Sequence, residues 1–128
     1  MREILFRGKR YNGAWVEGSY VFQHGCHEIY LPSTDGEYGS DHYAVIPETV
    51  GQYTGLTDKN GVKIFEGDIV NVNTNKDTLY HRYECRNLVI RFDEYHRFVA
   101  SGRLEYPLCN RYEWEIVSNI HDNPEFWR

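Results

Sequence analysis

The sequence has little of what would name a chemistry. It holds 1 Met, 4 Pro and 3 Cys. The cysteines, Cys26, Cys85 and Cys109, form no CxxC pair. A structural zinc site brings its ligands as two close-spaced pairs, so His24-Gly25-Cys26-His27 by itself does not make one. Apolar runs are only a few residues long, too short for a membrane-spanning helix. The start, Met1-Arg2-Glu3-Ile4, lacks the apolar core of a signal peptide. A cytoplasmic protein with free thiols is therefore expected. Positive charge is also scarce: Lys+Arg 14 against Asp+Glu 19 gives a net charge of −5. Bulk charge cannot hold such a chain on nucleic acid. No apolar period of 3.6 residues persists, which excludes a long amphipathic helix.

What is present is aromatic. Tyr, Phe and Trp number 11, 6 and 3 and make up 16% of 128 residues. That composition, with many β-branched residues, favours strands. The surface scaling of a 15.2 kDa chain buries about two thirds of its unfolded surface, enough for one core with a small extension. Apolar alternation predicts strands near 3–11, 14–23, 28–31, 43–46, 69–73, 87–93, 97–100 and 112–120. Asn12-Gly13 and Asn60-Gly61 supply tight turns, with left-handed backbone expected at both residues of each pair. Residues 32–42 are rich in Gly, Ser and Asp and read as a loop. The strand period turns Trp114 inward. At the end, Asp122, Pro124 and Glu125 have the spacing of a capped helical turn, which would lay Phe126 or Trp127 back on the body of the protein. Short strands joined by Gly and Asn turns imply a mainly β fold, a meander or barrel.

Four residue sets carry groups capable of chemistry. The His24-Cys26-His27 cluster could offer metal ligands but lacks a second pair. Cys26 with His27, or Ser118 with His121, could be drawn as a nucleophile and base; neighbours on a strand point to opposite faces, which argues against the first. Glu66 and Asp68 lie two apart, and an Asp at such a turn commonly bonds local backbone N–H groups. The span from Lys76 to Arg103 carries six cations against four carboxylates. Within it Tyr80, Arg82, Tyr83, Arg91, Tyr95 and Arg97 could stack on bases or contact a partner. The same residues would equally cover the solvent face of strands. No catalytic, cofactor or metal residue is assigned from this reading.

Three stretches carry a resemblance. They are Arg2-Glu3-Ile4-Leu5-Phe6-Arg7-Gly8, then Gly51-Gln52-Tyr53-Thr54-Gly55-Leu56-Thr57-Asp58-Lys59-Asn60-Gly61 through Phe65-Glu66-Gly67-Asp68-Ile69-Val70, then Asn119-Ile120-His121-Asp122-Asn123-Pro124-Glu125. Together they resemble the YopX-like family of bacteriophage and prophage proteins. The resemblance implies an SH3-type β-barrel over residues 47–128, preceded by a β-rich hairpin segment over 1–46. It transfers no activity and no cofactor. The reading that follows is a non-enzymatic module binding a host or phage protein. The alternatives are nucleic-acid binding through the basic-aromatic region 80–103, and an enzyme of unknown class.

Overall fold

Polar-apolar alternation, interrupted every few residues by Gly or Asn, shapes almost every element of this chain. The computed structural model describes residues 4–31, 41–73, 84–95, 97–102 and 105–127. Its strands are β1 (Phe6–Lys9), β2 (Trp15–Gln23), β3 (Cys26–Tyr30), β4 (His42–Ala44), β5 (Gly51–Thr57), β6 (Lys63–Phe65), β7 (Asp68–Asn73), β8 (Glu84–Phe92), β9 (Phe98–Ser101), β10 (Glu105–Pro107) and β11 (Glu113–Asn119). The described helical elements are two 3-10 turns, Pro47–Thr49 and Pro124–Trp127. The mainly β class is as expected. The strands form two antiparallel sheets and, among the described residues, no closed barrel.

The chain divides into two compact units, Met1–Tyr53 and Thr54–Arg128. In the first, the strands run β4-β3-β2-β1-β5, each antiparallel to its neighbour. Ile29 and Val45 are its buried aliphatic residues. The β2–β3 connection is a two-residue loop, His24-Gly25, with φ of 52° and 75°. Positive φ at both positions is what such a hairpin requires. The His-Cys cluster is thus split: His24 lies in the turn, while Cys26 and His27 begin β3.

The second unit holds the sheet β10-β9-β8-β7-β11. Its core is Ile64, Val70, Val72, Leu88, Ile90, Ala100 and Trp114, joined by Leu56, Tyr106, Leu108, Tyr112 and Ile116. Trp114 is turned inward as predicted, and its indole Nε1 donates to the Cys109 carbonyl at 2.7 Å. β11 is an edge strand of this sheet. Its outer edge meets a turn in place of a strand: the Lys59 N–H donates to the Trp114 carbonyl at 2.8 Å, and the Ile116 N–H donates to Asp58 Oδ2 at 3.2 Å.

Within that turn the Gly61 N–H donates to the Asp58 carbonyl at 3.0 Å, and Gly61 has φ of 80°. The Asn12-Gly13 turn repeats the pattern, with φ of 92° at Gly13 and a Gly13-to-Arg10 bond of 2.9 Å. In each pair the left-handed residue is the glycine alone, a correction to the expectation for both positions. These are type I turns closed by one left-handed glycine, the usual longer hairpin connection. The predicted C-terminal turn exists as Pro124–Trp127 and lies against β8. The side chains of Phe126 and Trp127 lie outside the described residues.

Candidate functional site

The second unit carries a polar face built by strand alternation. On β7, Val70 and Val72 are buried while Asn71 and Asn73 point outward; on β11, Trp114 is buried while Glu113 and Glu115 point outward. The register opposes Glu113 to Asn73 and Glu115 to Asn71, which sets four polar side chains in two cross-strand rungs. Beside them stands Lys59, brought in by its turn. Lys59 Nζ lies 3.0 Å from Glu115 Oε2. The Asn71 amide donates to Glu115 Oε1 at 3.5 Å.

A β-bulge completes this face. Val70 pairs with Leu88 and Val72 with Cys85, so Arg86 and Asn87 together oppose Asn71. Asn87 takes up the extra residue with φ of 59°, and its N–H donates to Asn71 Oδ1 at 3.1 Å. Bulges of this kind re-aim side chains near sites. The result is a hollow of ≈ 120 Å³ lined by Lys59, Asn71, Val72, Asn73, Arg86, Glu113 and Glu115. The hydrogen bond from Lys59, then its charge, pulls the Glu115 carboxyl below its ordinary range. The same pair raises the Lys59 ammonium, with Glu113 adding to the effect.

An open groove of ≈ 370 Å³ shares Lys59 and Glu113 with this hollow and runs past Gly55, Leu56, Thr57, Asp58, Cys109, Asn110, Tyr112 and Trp114. Aromatic packing fixes its floor. Tyr112 lies 5.9 Å from Trp114 and edge-on to Tyr106 at 6.4 Å. The Asp58 carboxylate at the groove is spent on structure, accepting the N–H groups of Asn60, Val62 and Ile116.

The residues singled out from the sequence fall elsewhere. Tyr80, Arg82 and Tyr83 lie outside the described residues. Arg91, on β8, donates through Nε to Ser101 Oγ at 2.6 Å and through its terminal nitrogen to Glu105. Arg97 pairs with Asp93 at 3.2 Å and sits over the Tyr95 ring at 5.4 Å. Arg91 and Arg97 are thus each tied to a carboxylate, and Tyr95 is exposed in the β8–β9 turn. Around His24-Cys26-His27, Cys26 is exposed, while His27 Nδ1 lies 2.5 Å from the Tyr20 hydroxyl and its ring packs on Phe22. Among the described residues no group of three or more His, Cys, Asp or Glu is placed to hold a metal ion. Asp68 is buried and accepts the Phe65 N–H at 2.8 Å. Ser118 Oγ takes the Asn123 amide, and the His121 ring stands over Gly67.

Sequence reading missed both hollow and groove. The available clue was the repeated polar position in Val70-Asn71-Val72-Asn73 and Glu113-Trp114-Glu115, but the register that joins them was needed. The motif residues, in contrast, serve architecture. Asp58 and Asp68 cap backbone, and Gly61 and Gly67 hold positive φ. Asn119 Oδ1 accepts the N–H groups of His121 and Asp122. A motif used this way identifies a fold and leaves the activity open.

Comparison with known proteins agrees with that division. The crystal structure of protein EF1440 from Enterococcus faecalis is similar over 100% of both chains, with 25% identity and a TM-score of 0.61. No curated protein matches the chain. The family model described as YopX protein matches residues 6–127, and the chain belongs to that family.

Proposed function

We propose that the chain is a non-enzymatic protein-binding module, a phage- or prophage-encoded accessory protein that works in the cytoplasm of a bacterial host and engages a host or phage protein. One observation carries this reading: the groove beside β11 is floored by Leu56, Tyr112 and Trp114, while the buried carboxylate next to it is consumed by backbone amides. A site that offers aromatic surface and whose buried acid is committed to the backbone favours contact over turnover, and Tyr and Trp are the residues enriched at interfaces. The membrane has no claim from helices, since no described helix is long and apolar enough to cross one.

The test is site-specific photo-crosslinking in a bacterial host. A photoreactive phenylalanine analogue replaces Tyr112 in one strain and the exposed Tyr11 in another. A discrete protein adduct from position 112, absent from position 11, is expected. No protein adduct from position 112 would overturn the reading. A nucleic-acid adduct that weakens steeply with salt would replace it with the alternative.

A further inference from the structure

Independently of that reading, we infer that His42 and Glu28 form a pH-sensitive clasp at the edge of the first unit's sheet: protonation of the His42 ring fastens β4 to β3. His42 Nε2 lies 3.4 Å from Glu28 Oε2. The ring also stacks on Tyr30 at 4.7 Å, with 15° between the planes. Strand pairing explains both contacts. Tyr30 stands opposite His42 and Glu28 opposite Ala44, so Glu28, Tyr30 and His42 share one face of the β3–β4 pair. The Gln23 amide donates to the Tyr30 hydroxyl at 3.3 Å and steadies the ring under His42. On that face β2 brings Ser19 opposite Tyr30 and Val21 opposite Glu28, neither of them charged. Cys26, two residues before Glu28, and Asp41, next to His42 in the chain, are exposed. His27 and Tyr43 turn to the other face, where His27 meets the Tyr20 hydroxyl and the Arg10 guanidinium lies 4.1 Å from the Tyr43 ring centre. Among the described residues, Glu28 is the carboxylate within ion-pair distance of His42.

The strand that this pair holds is the one a single pair can move. β4 has 3 residues and is last in its sheet. Its seat against β3 includes the Leu31 N–H on the Asp41 carbonyl at 2.9 Å and the Val45 N–H on the His27 carbonyl at 3.0 Å. So short an edge element opens locally at small free-energy cost, and a modest interaction shifts its population. A charged donor bonds a carboxylate more strongly than a neutral one, and a cation over a tyrosine ring adds to the hold. The Glu28 side chain is 17% exposed, so the attraction is screened less than between two fully exposed groups. The added hold is present where the imidazole is protonated and is lost as pH rises through the ordinary histidine range. A carboxylate of ordinary strength stays ionised throughout that interval.

The experiment is amide hydrogen exchange on the full chain, labelled with ¹⁵N, at about pH 5.5 and about pH 8, with each rate referred to the intrinsic rate at that pH. The Tyr53 amide, which donates to the Leu5 carbonyl at 2.7 Å, serves as the internal reference in the same unit. Relative to it, the Leu31 and Val45 amides should be protected about fivefold more at the lower pH, the order of a partly exposed ion pair with a ring contact. Glu28→Gln and His42→Gln should each remove most of that difference, and added salt should shrink it in the parent. Equal relative protection at the two pH values, greater protection at the higher one, or a parent-like difference kept in Glu28→Gln would overturn the inference. Should Glu28→Gln not fold, the parent and His42→Gln decide: a difference that persists without the imidazole overturns it equally.

Discussion

Asp58 ties the turn after β5 to the edge of β11: its Oδ2 accepts the Ile116 N–H at 3.2 Å. Its Oδ1 meanwhile accepts Asn60 and Val62 N–H groups, both at 2.9 Å. The side chain is buried, so water cannot replace these bonds. One residue thus shapes its own hairpin and fastens it to a strand more than fifty positions away. It also sets the near wall of the groove and aims Lys59 at Glu115.

Asp58→Ala would leave three backbone donors without that acceptor. Each hydrogen bond to a charged group contributes roughly 1.5–3 kcal/mol, though losses in one cluster do not add fully. The expected destabilisation is on the order of 3 kcal/mol. Asp58→Asn keeps one oxygen and should cost less than Asp58→Ala. Urea midpoints of the three proteins, in that order, check this. Equal midpoints for Asp58→Ala and the parent would refute it.

The left-handed backbone at Gly61 calls for a different experiment. Nothing lies within 4 Å of a Cβ added there, so a substitution meets no neighbour and only the φ of 80° resists it. An L-residue pays roughly 1–2 kcal/mol for that conformation, and a β-branched one pays most. Gly61→Val should lower the urea midpoint more than Gly61→Ala, and Gly61→Asn should lower it least. If Gly61→Val melts like the parent, the turn assignment is wrong.

Local chemistry was legible in the sequence and long-range register was not. The strand at 68–73 and the inward Trp114 follow from alternation, and the glycine turns follow from backbone sterics. β5 was hidden because Gly51 and Gly55 read as punctuation; Gly55 in fact stays in the strand with φ of 92°. No closed barrel forms among the described residues, and the Asp58-Lys59 turn bonds the β11 edge partly through a side-chain acceptor that no periodicity announces. The candidate site was illegible for a related reason. Asn71, Asn73, Glu113 and Glu115 are ordinary surface residues until pairing places them together.

Lys59 and Glu115 make a pH-dependent pair. The folded Glu115 pKa lies below its ordinary 4.5, held down first by the Lys59 hydrogen bond and then by its charge. A depressed acid contributes stability above its unfolded value and loses it as pH falls through the folded one. The folded Lys59 value lies above 10.5, so its contribution is present below that and is lost as pH rises through the raised value. The urea-midpoint difference between the parent and Glu115→Gln should therefore be flat at neutral pH and shrink in acid below the ordinary Glu range. Added salt should reduce it throughout, because both side chains are well exposed. A difference that grows on acidification would contradict the pairing.

The C-terminal turn depends on Asn119. Its Oδ1 accepts the His121 N–H at 3.0 Å and the Asp122 N–H at 2.9 Å, while its amide donates to Asp122 Oδ2 at 2.9 Å. The Asn123 N–H returns to the Asn119 carbonyl at 3.0 Å. Upstream, the Ile120 N–H donates to the Gly67 carbonyl and the Gly67 N–H to the Ile90 carbonyl, which anchors the start of the segment to the sheet. A single turn such as Pro124–Trp127 cannot persist alone in water, because helix nucleation is unfavourable. It lies against β8, and Asn119 fixes the segment that leads into it. Asn119→Ala removes an acceptor from two N–H groups, a loss comparable to deleting a helix cap and on the order of 1 kcal/mol. Asn119→Asp keeps the acceptor but sets a second carboxylate against Asp122, so it should restore only part of the loss. Amide hydrogen exchange separates the effects. In Asn119→Ala, amides from 120 to 127 should exchange faster, while those of Val70, Val72, Leu88 and Ile90 in the core keep their protection. Deleting 122–128 should likewise leave a folded, less stable protein. Unchanged exchange at 120–127 in Asn119→Ala would mean that packing alone holds the turn.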